Sequence, residues 1–341
     1  MPKKMEDIAK LAGVSVSAVS IAINGKKGIS QATREKIFKV INENDYQPLR
    51  KRKKGGLRKV VNCDLIIVND KKGVVNRSYH TLPFFDHLVT TLTQNINGFG
   101  ANLRIDTLRI THLAEDLRDL LSESAVTNAI VLGTELSAED ISLIDSQIKN
   151  VIFVDTYYSE IDVDFVTTDN FRGAYQAAKY LLEKGFTEIG YAATSKNNPN
   201  FLQRRTGFRA ALAEVGIEIN PEHFYKIDAA DLVSLKDLKG FSVKKLPQVI
   251  FCDTDYMAIR IMKECRNNNL VIPRDLSVMG FDDIEEASLV NPELTTVHAS
   301  VDQIINQAIY QLQAQISQED WEAQKCLVGT HIVERNTVKL K

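Results

Sequence analysis

The chain has 341 residues, more than one core of ordinary size takes up, and its 44% hydrophobic and 25% charged composition is that of water-soluble globular domains. No run approaches the roughly eighteen apolar residues of a membrane span, and Cys63, Cys252, Cys265 and Cys326 lack Cys-x-x-Cys spacing, which points to free thiols in a reducing compartment. The net charge of −2 hides an asymmetry: residues 1–59 carry 15 Lys and Arg against 5 Asp and Glu, the remainder 27 against 39, so a basic end suited to nucleic-acid phosphates precedes an acidic body.

The first predicted elements lie in Glu6 to Asn24. Ile8, Ala9, Leu11 and Ala12 give one short helix an apolar face, and Val19, Ala22 and Ile23 give a second. Gly13 supplies the permissive backbone of a tight turn, and Ser15 stands where the second helix needs an N-cap. Ser30 can cap a third helix whose Ile37, Phe38, Val40 and Ile41 would close a small core, ending at Asp45-Tyr46-Gln47-Pro48. Two short helices at a steep angle form a helix-turn-helix, whose second helix enters the major groove of DNA. The leading lysines run into this amphipathic helix, with Glu6 and Asp7, rather than into an apolar export segment, so a cytoplasmic protein is expected.

These residues, with Asn24-Gly25, Thr33-Arg34 and Tyr46-x-Pro48, resemble the DNA-binding headpiece of the LacI/GalR family of bacterial regulators. The resemblance implies an all-α helix-turn-helix headpiece (1–47), a hinge (48–59) and a two-lobed α/β effector domain of the periplasmic-binding-protein type I fold (60–341). It implies a homodimer gripping pseudo-palindromic double-stranded operator DNA, with a small-molecule effector, most often a sugar, between the lobes. On the recognition face it puts Val16, Ser17 and Ile21, with Lys10, Ser15, Ser20 and Asn24 contacting phosphates or fixing register. Relatives usually carry arginine where Ile21 stands, and Ile21 could instead turn inward.

In the basic segment Leu49 to Lys59, Gly55 stands where relatives carry the leucine of a minor-groove wedge, and the glycine pair disfavours a helix. Arg50, Lys51 and Arg52 are therefore expected to act through phosphate neutralisation.

From Val60 the pattern alternates strands and helices, which means parallel sheets covered on both faces. Predicted strands are Cys63–Val68, Ala101–Thr107, Ala129–Leu132, Val151–Val154, Glu188–Ala193, Phe224–Ile227, Gln248–Phe251 and Leu276–Met279. Predicted helices include one with Phe85, Leu88, Leu92 and Ile96 on one face, then Leu113–Ser122, Ser137–Ile148, Asn170–Lys184, Arg204–Val215, Tyr256–Asn267 and Val301–Ile316. By resemblance the chain crosses between lobes near Thr167–Asp169, Asn291–Thr296 and Leu327–Thr330. Lobe one is then 60–166 with 296–326, and lobe two 167–295 with 327–341.

Ligands of open α/β sheets bind beyond the carboxyl ends of the strands. There stand Asp155, Asp169, Asp255 (in Thr254-Asp255) and Asp282 (in Gly-Phe-Asp-Asp), while Arg204 matches the family's Arg-x-x-Gly-Phe with Phe201 one turn earlier, and Phe84-Phe85 sits in a Pro-Phe-Phe loop. Carboxylates accept hydroxyl hydrogen bonds, a guanidinium donates in a fork and an aromatic face covers a sugar ring, which fits a polyol. Each has a plainer reading: turn-forming aspartates, a surface ion pair for Arg204, core packing for the phenylalanines. There is no nucleophile elbow, Walker loop, GxGxxG or HExxH, and the six histidines lack metal-ligand spacing, so neither an enzyme, a metal nor a cofactor is expected. A sugar-binding protein of the same fold without a transcriptional role is the competing reading, opposed by the helix-turn-helix.

Overall fold

A computed structural model describes residues 5–23, 28–44, 62–70, 75, 82–98, 101–196, 198–228 and 238–339. Asn24, Arg50, Lys51, Arg52 and the expected hinge lie outside them. The chain forms two compact units, Met1–Leu57 and Arg58–Lys341.

In the first unit, α1 (Met5–Ala12) stops at Gly13, whose φ of +61° is left-handed. There the Gly13 N–H donates to the Lys10 carbonyl and the Val14 N–H to Ala9, satisfying carbonyls that the helix end leaves open. Ser15 caps α2 (Val16–Ile23) by accepting the Ala18 N–H at 3.2 Å, and Ser30 caps α3 (Gln31–Glu43) by accepting that of Thr33 at 3.1 Å. Ile8, Ala9, Ala12, Val19, Ala22 and Ile37 make the core. Leu11 and Phe38, expected to join it, are 54% and 41% exposed. A core this small covers a narrow arc of each helix, and both residues fall just outside that arc.

In the second unit, β1 (Asn62–Asn69), α4 (Pro83–Gly98), β2 (Asn102–Arg109), α5 (Leu113–Glu123), β3 (Asn128–Leu132), α6 (Ala138–Asp145), β4 (Asn150–Val154) and β5 (Phe165–Thr168) build the first lobe. The second holds α7 (Asn170–Glu183), β6 (Ile189–Thr194), α8 (Pro199–Ala213), β7 (Phe224–Ile227), β8 (Val249–Cys252), α9 (Asp255–Asn267), β9 (Ser277–Met279), α10 (Glu286–Leu289) and β10 (Thr296–Ala299). The chain returns through α11 (Val301–Ser317) and β11 (Lys325–Val328) to the first lobe and ends with β12 (Thr330–Val333) on the second.

The sheets run in the orders β11-β5-β4-β3-β1-β2 and β7-β6-β8-β9, both parallel, with β10 and β12 as an antiparallel pair. The buried and largely apolar β1, β3 and β4 are what a sheet covered on both faces requires. α4 and α11 pack on one face of the first sheet, α5 and α6 on the other.

Of the crossovers, the second differs from expectation, coming later than Asn291–Thr296. Thr167, Thr168, Leu327 and Val328 are strand residues of the first sheet, and Thr296 to Ala299 bond within the second lobe, where His298 bridges Asp282. The turns therefore fall at Asp169, Ser300 and Gly329. The helix expected from Arg204 starts earlier, at Pro199, because the Asn198 side chain caps it by accepting the Phe201 N–H. Among the described residues no helix is long and apolar enough to cross a membrane.

Candidate functional site

Each sheet has a switch point where strand order reverses, β1/β3 in the first lobe and β6/β8 in the second, and a crevice opens there beyond the carboxyl ends. The two crevices face each other. Asp70, after β1, receives Lys196, after β6, at 2.9 Å. Phe84 packs against the core clusters of both lobes, and Phe201 of α8 is buried in that of the first.

The centre is a buried polar chain. Arg204, 4% exposed, sends Nη2 to Asp282 Oδ1 at 3.0 Å, Nε to Asn170 Oδ1 at 2.7 Å and Nη1 to the Asp253 carbonyl. Its guanidinium lies 3.7 Å from the Phe281 ring centroid and 5.5 Å from that of Phe201. Asn170 Nδ2 donates to Asn200 Oδ1, and Asn200 Nδ2 reaches across to Asp155 Oδ1 at 3.0 Å and to its carbonyl at 2.8 Å. Thr134 donates to Asp155 Oδ2 at 2.5 Å. Thr134 and Asp155 belong to the first lobe and the rest to the second, so the chain bridges the cleft.

Burial pushes the Asp155 carboxyl up to about 7 against the stabilising Thr134 hydrogen bond, and the Asp282 carboxyl up to about 6 against the charge of Arg204. Asp155, Asp282 and Asp283 have φ of 56°, 119° and 60°, a region that non-glycine residues seldom enter and that clusters at ligand sites. Asp283 is held by Arg335 at 2.6 Å and by His298 Nδ1 at 2.9 Å.

A cavity of about 490 Å³ opens beside this chain, between the start of α4, the loop after β9 and the β10–α11 turn. Of the expected effector residues Phe84 and Asp282 line it, and Arg204 stands behind Asp282. Phe85 and Phe201 are core residues. Asp169 caps α7 by accepting the Arg172 N–H at 3.0 Å. Asp255 is wholly buried: its carboxylate accepts the Thr296 hydroxyl and the Ile284 N–H and packs on Gly280, while burial and nearby Asp282 push it up to about 8. These two aspartates hold structure within the lobe.

Sequence reading placed Asn170 with Asp169 beyond a strand end but overlooked Asn200, Thr134 and the Lys196–Asp70 pair. The Asn198-Pro199 pair, an N-cap followed by proline at the first helical position, was the available signal. It starts α8 early enough to put Asn200 one turn before Arg204 on one face.

In the headpiece Lys10, Ser15, Val16 and Ser17 are exposed, while Ser20 and Ile21 are half-buried. Ile21 leans towards Gly28, where a Cβ would lie 3.6 Å from its Cδ1. Among the described residues no group of acids, histidines and cysteines could hold a metal ion.

A helix-turn-helix followed by a two-lobed open α/β clamp is the architecture of a DNA-binding regulator. Residues 4–48 match the family of bacterial regulatory proteins, lacI family, and residues 178–338 the periplasmic binding protein-like domain. The chain is 29% identical to the HTH-type transcriptional repressor PurR of Vibrio parahaemolyticus over 98% of both chains. Its fold is similar to that of the transcriptional regulator CelR–cellobiose complex (TM-score 0.67, 21% identity, 98% of this chain and 100% of that one). It is similar also to the lac repressor dimer bound to operator and the anti-inducer ONPF (TM-score 0.67, 18% identity, 99% and 100%). The chain thus joins a lacI-family DNA-binding segment to a periplasmic binding protein-like domain, and it is a DNA-binding transcriptional repressor, not an enzyme.

Proposed function

We propose that the protein is a cytoplasmic homodimeric repressor of carbohydrate-utilisation genes, released from or fixed on a pseudo-palindromic operator by a sugar or sugar derivative bound between its lobes. Val16, Ser17 and Ile21 would read bases, with Lys10, Ser15, Ser20, Asn24, Arg50, Lys51 and Arg52 on phosphates. Val16 suits a thymine methyl and Ser17 either kind of base edge. The observation that carries the effector reading is Asp282. Arg204 fixes one of its oxygens, and the residue borders a cavity beside a phenylalanine, which is the polar-plus-aromatic pairing that polyols use. A ligand there touches both lobes, so it can shift the balance between open and closed arrangements by its differential affinity.

A purine effector is the second reading, supported by the similarity to PurR repressors. Full-length protein on operator DNA, titrated with hexoses, disaccharides, purine bases and nucleosides, separates the two. Fluorescence anisotropy reports DNA affinity, and melting temperature reports binding, because any ligand favouring the native state raises it. A response to purines alone sinks the sugar reading, and no response to any member sinks the reading of this cavity as an effector site.

A further inference from the structure

The cavity at the lobe junction carries more carboxylates than binding of hydroxyls requires. Asp86, Asp282, Asp283, Glu285, Glu286 and Asp302 line it, and among the described residues no lysine or arginine does. From behind, Arg204 neutralises Asp282 and Arg335 neutralises Asp283. His298 is committed to Asp283, and His87 lies 3.9 Å from Asp302. Asp86, Glu285 and Glu286 have no ion pair or side-chain hydrogen bond among the described residues. The second oxygen of Asp282, a residue more than nine-tenths buried, likewise has none, and it belongs to the cavity wall.

Carboxylates crowded on one opening repel one another and exclude anions, and a cation relieves both costs. The absence of any metal-holding cluster among the described residues argues against a metal ion, because these groups are spread around the opening rather than converging on a point. Phe84 adds an aromatic wall, and an ammonium group is attracted to such a face as well as to carboxylates.

We infer that the effector is a positively charged polyhydroxy compound of the amino-sugar class, its ammonium group directed at the acidic opening and its hydroxyls at Asp282. The inference rests on the cavity being the effector site and adds the charge of the occupant. Phosphorylated sugars and sugar acids are excluded by the same field.

Calorimetric titration of the full-length protein with glucosamine, galactosamine and mannosamine tests this, each compared with its N-acetyl form, its parent hexose and the hexose 6-phosphate. At least one amino sugar is expected to bind roughly tenfold tighter than both neutral counterparts, with the advantage shrinking at high ionic strength. The variant Asp86→Asn/Glu285→Gln/Glu286→Gln should lose that advantage, its ligand-free melting temperature serving as the folding control. The single exposed change Glu285→Gln should reduce it in the same direction. Equal binding of charged and neutral forms, preference for a phosphate, or no binding by any amino sugar overturns the inference while leaving a neutral sugar or purine effector open. Failure of every sugar and purine to change melting temperature or operator affinity overturns the effector reading beneath it.

Discussion

At the scale of a single residue, Arg204 shows how a buried guanidinium is held by several partners at once. With its partners arranged around one guanidinium, Arg204→Ala leaves the buried Asp282 without a counter-charge and Asn170 Oδ1 without its donor. Loss of about 3–5 kcal/mol of stability is expected from denaturant unfolding, with Arg204→Lys intermediate because it keeps the charge and loses the fork. The carboxyls of Asp155, Asp255 and Asp282 are held at about 7, 8 and 6 by burial, above the ordinary 3.8. Between those limits the native state keeps protons that the unfolded chain has released, so stability falls as pH rises through this window. Asp116 and Asp275, lowered to about 2 by their arginine partners, act only below it. The melting temperature should therefore drop between about pH 5 and pH 8, and Asp155→Asn should flatten the slope. An unchanged slope in that variant would mean Asp155 is ionised throughout.

At the scale of elements, α7 and α8 meet where Gly207 lies under the Phe171 carbonyl, and a Cβ at Gly207 would stand 2.0 Å from that oxygen. Gly207→Ala should force the helices apart, costing about 1–3 kcal/mol or more by chemical denaturation and loosening the Asn200 and Arg204 contacts that α8 carries. In the headpiece, Ser15 caps the helix expected to read DNA. Ser15→Ala should destabilise that unit by about 1 kcal/mol, seen as an earlier loss of helical circular dichroism and as weaker binding to every DNA sequence alike.

For the whole molecule, the charge asymmetry separates the basic part that meets DNA from the acidic α/β body. With Ile21 in the usual arginine position and Gly55 in the wedge position, phosphate contacts and half-site spacing should carry more of the affinity than in relatives. Neutralising Arg50, Lys51 and Arg52 should then reduce the slope of log affinity against log salt by about 0.9 for each lost phosphate contact. The unmodified protein should bend its operator little, because no side chain is available in that register to part the base steps. A central kink in a circular-permutation assay, or a salt slope unchanged by the neutral linker, would contradict this.

Alternation of strand and helix, the glycine and serine caps of the headpiece, the Gly-Phe-Asp-Asp turn and the Arg204 motif were legible in the chain because each depends on neighbours within a few residues. Local chemistry also limited that reading: Asp155, Asp255 and Asp282 look alike as aspartates at strand ends. Only tertiary structure separated them, burying Asp255 under Thr296 and Ile284, tying Asp155 to Asn200 across the cleft and leaving Asp282 on the cavity wall. The sequence by itself determined the class of fold, the DNA-reading helix pair and the identity of the ionisable groups. Which of those groups are spent on structure and which face the cavity was decided by partners 29 to 45 residues away, whose approach no local pattern encodes.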